Sequence, residues 1–197
     1  MKNRSIMVFT GATSLAAALA LAACSTPKAQ ASDSPNAARI PRGQYLVTVG
    51  GCNDCHTPFK MGQKGPEPDM SRMLSGHPEE FVITAPATLT SEQWMVASTP
   101  TNTAHSGPWG VSFTANLTPD QNTGLGIWTE EMFIKTLRTG RHMGVSREIL
   151  PPMPWFNYGK MTDEDLKAVY AYLRSIPAIH NRVPDPIPPA QASTATN

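Results

Sequence analysis

Cys52-Asn53-Asp54-Cys55-His56 is the segment whose residue types and spacing carry chemistry. Two thiols with two residues between them can each add to one vinyl group of the same porphyrin. The histidine that follows is then directed at the central iron from that side, so the pentapeptide reads as the attachment site of one covalent haem. With this chain's Cys and His content, such a pattern arises by chance in about one chain in a thousand. Two other chemistries use paired cysteines. A structural zinc site needs about four ligands, and no second cysteine pair is present. A thioredoxin-like redox pair belongs beside a βαβ unit, and the sequence shows none.

An iron that only passes electrons also needs a sixth ligand that stays on. Thioether sulfur favours the reduced iron and raises its potential. Eight methionines follow His56: Met61, Met70, Met73, Met95, Met132, Met143, Met153 and Met161. Core packing is the ordinary fate of a methionine. Met153 differs because it sits in Ile149-Leu150-Pro151-Pro152-Met153-Pro154-Trp155. Prolines on both sides exclude helix and stiffen the loop, which would hold the sulfur in place at low entropic cost. Met143, in Gly140-Arg141-His142-Met143-Gly144, is the runner-up, and His142 would instead give a bis-histidine iron. His77, His105 and His180 read as surface or loop residues.

Three helices must position these groups. The first is expected from about Arg42 to Val49, ending at Gly50-Gly51, with Tyr45, Leu46 and Val49 as its apolar face. The second starts at Thr129, with Glu130 and Glu131 in its first turn where the helix dipole favours them, and stops at Gly140. The third starts at Thr162, with Asp165 three residues on as a capping-box-like start. Its Leu166, Val169, Tyr170 and Leu173 fall at i, i+3, i+4 and i+7, and Pro177 ends it. Between the first two helices, a short strand is expected near 81–84 and a turn of helix near 91–97. Trp109, Trp128, Trp155, Phe156 and Tyr158 are candidates to wall a flat apolar cofactor. Arg138 and Arg141 would pair with its carboxylates or cap the second helix.

The 197 residues suffice for one domain with a modest core. Nineteen prolines and only 7% aromatic residues point to short helices and many loops. The N-terminus has the form of an export signal: Lys2 and Arg4, an apolar run from Ile6 to Ala23, then Leu21-Ala22-Ala23-Cys24. The tetrad resembles a bacterial lipobox, which makes Cys24 the lipidated first residue of the mature chain. Several acyl chains would anchor it stably, at about 0.8 kcal/mol per buried methylene. Ser25 after the Cys leans toward an outer membrane. Without Lys2 and Arg4 there are 14 basic and 15 acidic side chains, which excludes a strongly basic nucleic-acid binder. The expected organisation is a signal peptide at 1–23, lipidated Cys24 with a flexible tether to residue 38, a folded domain at 39–183, and a disordered tail at 184–197.

Taken together, the order helix, CxxCH, helix, Pro-flanked Met, final helix resembles class I cytochromes c. Gly43, Tyr45, Leu46 and Cys52–His56 match at one end. At the other, Phe113-Thr114-Ala115-Asn116-Leu117-Thr118-Pro119-Asp120, Thr123-Gly124-Leu125-Gly126, Trp128, Arg138-Thr139-Gly140 and Pro151–Pro154 are similar to single-haem bacterial cytochromes c and to the haem modules of membrane-bound dehydrogenase cytochrome subunits. The resemblance implies a mainly α fold of three to five short helices around one haem c, held by Cys52, Cys55 and the axial pair His56 and Met153. It also implies a close crossing of the first and last helices at Gly43. Implied too is an electron carrier, not an enzyme, facing the periplasm, with redox partners such as a dehydrogenase donor and an oxidase or cytochrome acceptor. The alternatives are a haem subunit of a periplasmic dehydrogenase complex, or a ligand-binding haem enzyme or sensor. The segment between His56 and Asn116 is longer than in compact members and is expected to be an irregular insertion. Compact members use a proline carbonyl to orient the haem histidine, and Pro58, Pro66 and Pro108 are the candidates here.

Overall fold

The structure, a computed structural model, describes residues 35–89 and 93–189. The export signal, Cys24 and most of the expected tether lie outside those residues. The chain folds around two crossing helices at its ends, α1 (Pro35–Val49) and α5 (Asp163–Ser175). Gly43 lies at the crossing. A methyl group there would stand 1.9 Å from the Ala168 carbonyl oxygen, so only glycine lets the backbones approach this closely. Leu46 and Val47, three and four residues on from Gly43, share that face and are buried against Leu166, Val169 and Leu173. The expected apolar face was therefore partly wrong, for Tyr45 and Val49 are 57% and 61% exposed. Helix α1 also begins seven residues earlier than expected and contains Pro41. Proline deprives one turn of a bond, but packing on α5 and the ion pairs of Arg39 with Glu164 and of Arg42 with Asp165 hold the early turns.

The other two expected helices form with the expected caps. α3 (Glu130–Thr139) has Thr129 accepting from the Met132 N–H at its start and Gly140 in the left-handed region at its end. At α5, Thr162 accepts from the Asp165 N–H. Two shorter helices join them: α2 (Cys52–His56) and α4 (Trp155–Tyr158).

The long segment after α2 is more regular than expected. β1 (Phe59–Gly62) pairs antiparallel with β2 (Gly65–Pro68). A second antiparallel sheet runs in the order β3 (Ala97–Ser98), β4 (Ala104–Gly107), β5 (Gly110–Phe113). Leu74 between the sheets is fully buried in the core beside Phe133 and Leu166. No strand forms at 81–84, which finds no partner: Phe81 N–H closes a turn onto Pro78 and Ala87 N–H donates to the Ser106 hydroxyl. Around 91–97 the described residues are extended and enter β3 instead of a helix.

The segment from 184 to 189 is not the loose start of a tail. Ile187 exchanges both backbone hydrogen bonds with Val111 on the free edge of β5, at 2.8 and 3.0 Å. Upstream, the buried Asn181 donates to the carbonyls of Ser75 and His77 and accepts from the Glu79 N–H. Asn116 donates to the Ile179 carbonyl. Buried amides with matched partners thus clamp the chain after α5 across the insertion. Residues beyond 189 lie outside those described.

Candidate functional site

Helix α2 is the CxxCH segment itself. It follows α1 directly through Gly50 and Gly51, so the packing of α1 on α5 sets its position. Asn102 reaches across from the loop before β4 and donates to the Asp54 carbonyl at 2.7 Å. Thr57, fully buried, donates to the Asn53 side chain and accepts from the Leu74 N–H. The turn is therefore fixed from three directions.

Both cysteines are free thiols. Burial pushes the Cys52 thiol up to about 11 and also raises that of Cys55. Zinc ligation and thiol–disulfide exchange need thiolates, and this environment disfavours them. Among the described residues no group of three or more His, Cys, Asp or Glu side chains gathers as an ion site would require. The short helix carries two thiols with a histidine directly after them, the arrangement that addition to one porphyrin edge requires.

His56 is 8% exposed, and its Nδ1 lies 2.7 Å from the Ala115 carbonyl oxygen. A carbonyl can only accept, so Nδ1 carries the hydrogen and Nε2 keeps its lone pair. Burial first, and then nearby His105, hold the imidazole below the ordinary histidine value, against the Ala115 bond, which raises it. It is thus neutral at neutral pH, the form that binds a metal. The orienting carbonyl comes from Ala115, not from Pro58, Pro66 or Pro108. Nothing in an alanine side chain signals this role. The signal is positional: Ala115 lies within Phe113-Thr114-Ala115-Asn116-Leu117-Thr118-Pro119-Asp120, the stretch that carries the family likeness.

Met153 sits half-buried in its proline loop, against the same core cluster that Cys52 touches. Ser112, on β5, donates to the Pro151 carbonyl at 2.5 Å and holds this loop to the sheet. β5 leads within two residues to Ala115. One strand therefore braces the Met153 loop and delivers the carbonyl that orients His56. Tyr158, on α4 just past the loop, donates to the Gly50 carbonyl at 2.6 Å and ties the loop back to the start of α2.

The other candidates separate. Met143 lies in a short 3-10 turn (His142–Gly144) with a left-handed φ of 54°. His142 meets Trp128 edge-on at 5.1 Å. Trp155 backs onto Gly140, where any side chain would strike its ring, and Phe156 stands edge-on to Trp155. Trp109 closes over Gly107 in the β4–β5 turn. Arg138 and Arg141 cap neither their own helix nor stand free. Arg138 bonds the Gly159 carbonyl and Asp163, while Arg141 bonds the Ser146 carbonyl and Glu148. His77 lies in a loop, as expected, yet is 0% exposed, whereas His105 is neither at the surface nor in a loop, for it lies in β4 and is 3% exposed. His77 bridges Thr103 and the Phe81 carbonyl, and His105 pairs with Ser98.

The residues present fit a covalent haem: two neutral thiols at the right spacing and a buried neutral imidazole with a bare Nε2. Comparison with known proteins agrees. Residues 40–177 match the family described as Cytochrome c. The chain is 29% identical to the fructose dehydrogenase cytochrome subunit of Gluconobacter japonicus, over 82% of this chain and 27% of that protein. It is 29% identical to the alcohol dehydrogenase (quinone) cytochrome c subunit of Gluconobacter oxydans, over 87% of this chain and 29% of that one. It is 30% identical to the gluconate 2-dehydrogenase cytochrome c subunit of Pantoea cypripedii, over 73% of this chain and 24% of that one. The chain thus spans roughly a quarter of the length of these relatives.

Proposed function

The chain belongs to the cytochrome c family, which carries covalently bound haem c in electron transfer, and from that premise we propose that it is a single-haem electron carrier. Cys52 and Cys55 hold the haem, and His56 and Met153 bind the iron. Bound haem iron cycles between ferric and ferrous states and so takes up and passes on one electron. The protein's part is to fix the ligands and exclude water. The observation that carries this reading is the 2.7 Å contact between His56 Nδ1 and the Ala115 carbonyl, which leaves Nε2 of a buried imidazole free at the end of the CxxCH turn.

Met153 is favoured as sixth ligand because its loop is stiffened by three prolines and tied to the strand that serves His56. Optical spectroscopy of protein from cells competent in haem c maturation tests the assignment. Wild type gives a reduced haem c spectrum and the weak long-wavelength band of methionine–iron ligation. Met153→Ala loses that band, whereas Met143→Ala and His142→Ala keep it. Rapid stoichiometric binding of carbon monoxide to the reduced wild type would instead mean a ligand-binding haem protein.

The names of the relatives favour a redox partnership with a dehydrogenase. The carrier faces the periplasm, takes electrons from such an enzyme and hands them to an oxidase or another cytochrome. A haem subunit held within a dehydrogenase complex is the second reading, and co-purification after gentle membrane extraction separates the two. Lipidation of Cys24 would anchor the chain to the membrane and leave the domain free to swing. Mass spectrometry of the mature N-terminus checks this: a triacylated Cys24 is expected, and an unmodified or earlier N-terminus overturns it.

A further inference from the structure

Two neighbouring residues of the insertion, Gly76 and His77, stand behind the clamp that orients His56. Segment 74–77 runs beside segment 114–117 and is stitched to it on both sides of Ala115. The Leu117 N–H donates to the Leu74 carbonyl at 2.8 Å, and the His77 N–H donates to the Thr114 carbonyl at 3.0 Å. Between those bonds, the Gly76 N–H donates to the backbone carbonyl of His56 itself at 2.8 Å. Gly76 has a left-handed φ of 78°, and a methyl group on it would stand 2.7 Å from the Ala115 carbonyl oxygen. Only glycine lets the chain lie this close to the atom that accepts from His56 Nδ1.

The His77 side chain locks this arrangement. The Thr103 hydroxyl lies 3.0 Å from its Nδ1, and Nε2 donates to the Phe81 carbonyl at 2.8 Å. Thr103 is tied to the same place by its backbone, for its carbonyl accepts from the Thr114 N–H at 2.9 Å. Three bonds therefore close a ring: His77 imidazole to Thr103 hydroxyl, Thr103 carbonyl to Thr114 N–H, and Thr114 carbonyl to His77 N–H. His77 and Thr103 are both fully buried, so water does not compete for the bond between them. Thr114 directly precedes Ala115, so the ring fixes the peptide that leads into the carbonyl holding His56. How firmly an axial histidine's Nδ1–H is held decides how much electron density its Nε2 offers an iron. A firm bond strengthens that donation, favours ferric iron and lowers the reduction potential.

We propose that His77 is a positioning residue that sets the potential of the iron: through Thr103 and Thr114 it holds the Ala115 carbonyl on His56 Nδ1. This rests on the haem reading above and gives the insertion a part in electron transfer. Redox titration followed by optical spectroscopy, with proton NMR of the reduced protein, tests it on the haem-loaded full chain. His77→Leu and Thr103→Val each break the bond between the two side chains and should raise the potential. At a fixed ambient potential the ferrous-to-ferric ratio should rise by up to about fivefold, the worth of one net hydrogen bond. In both variants the His56 Nδ1 proton should exchange with solvent faster than in wild type. His77→Asn places an amide oxygen near the position of Nδ1 and should bring both readouts most of the way back. Potential and exchange unchanged in His77→Leu and Thr103→Val, or His77→Asn displaced as far as His77→Leu, would overturn the proposal while leaving the cytochrome reading intact. A wild-type chain that attaches no haem would overturn both. If His77→Leu does not fold, Thr103→Val decides, since it exchanges only a hydroxyl for a methyl group.

Discussion

His77 shows how a single buried side chain couples folding to pH. The Phe81 carbonyl can only accept, so Nε2 carries the hydrogen and Nδ1 receives the Thr103 hydroxyl. Protonation would put a second hydrogen where Thr103 donates. Burial lowers the folded-state value below that of an exposed histidine and Arg72 adds to this, while the Phe81 bond and Glu80 oppose it. A depressed folded value means the unfolded chain takes up protons first. The stabilisation is therefore fully present above the unfolded value of about 6.5 and is lost as pH falls from there toward the folded value. Urea unfolding of the haem-loaded protein should show a midpoint that falls between about pH 7 and pH 5. His77→Gln should be less stable at neutral pH and show a shallower fall. An equal fall in both would place the titration elsewhere. At this scale the sequence disclosed the chemistry and hid the surroundings. Cys52, Cys55, His56 and Met153 stand out by type and spacing. His77 and His105 do not, because a histidine in a polar stretch looks the same whether a sheet covers it or water does. Ala115 acts through its backbone, which no residue type advertises.

At the scale of elements, the crossing of α1 and α5 carries the core. Gly43→Ala places a carbon against the Ala168 carbonyl and the Tyr172 side chain, and the helices must part to admit it. The expected cost is about 3 kcal/mol, the upper end for overpacking. Chemical denaturation of the haem-loaded variant measures it, and a cost below about 1 kcal/mol would mean that the crossing can slide. Helices with strong caps and a clear apolar stripe, α3 and α5, were legible before the structure. The beginning of α1 was not, since Pro41 obeys the local rule against helix and yields to contacts 125 residues away, such as Arg39 with Glu164. The small strands escaped for a related reason. β3 and β4 read Ala97-Ser98 and Ala104-His105-Ser106-Gly107, residues with weak strand preference, and they are strands because the turn at Pro108-Trp109 folds β4 onto β5.

At the scale of the whole molecule, the chain after α5 works as a strap across the insertion. Ile187 completes the edge of β5, which otherwise presents unpaired backbone groups. A chain ending at Val183 loses the two hydrogen bonds between Ile187 and Val111 together with part of the cover over Val111. We expect a loss of about 2 kcal/mol, or a fall of roughly 4–8 °C in Tm, read by calorimetry. An unchanged Tm would show the strap to be passive. Sequence composition could not distinguish this strap from a loose tail, because proline-rich extended chain looks alike in both roles. What separates them is one edge strand that needs a partner.

The bond from His56 to Ala115 has a consequence for how this protein tolerates change. The acceptor is main chain, so exchanging the side chain at 115 leaves it standing, and no substitution at that position deletes it outright. Adding or removing one residue between Phe113 and Asn116 would turn the carbonyl to the other side of the chain and release the imidazole. Drift in residue identity is therefore cheap here while drift in length is not, and relatives of this protein should vary freely in letter at that position yet keep the count of residues around it.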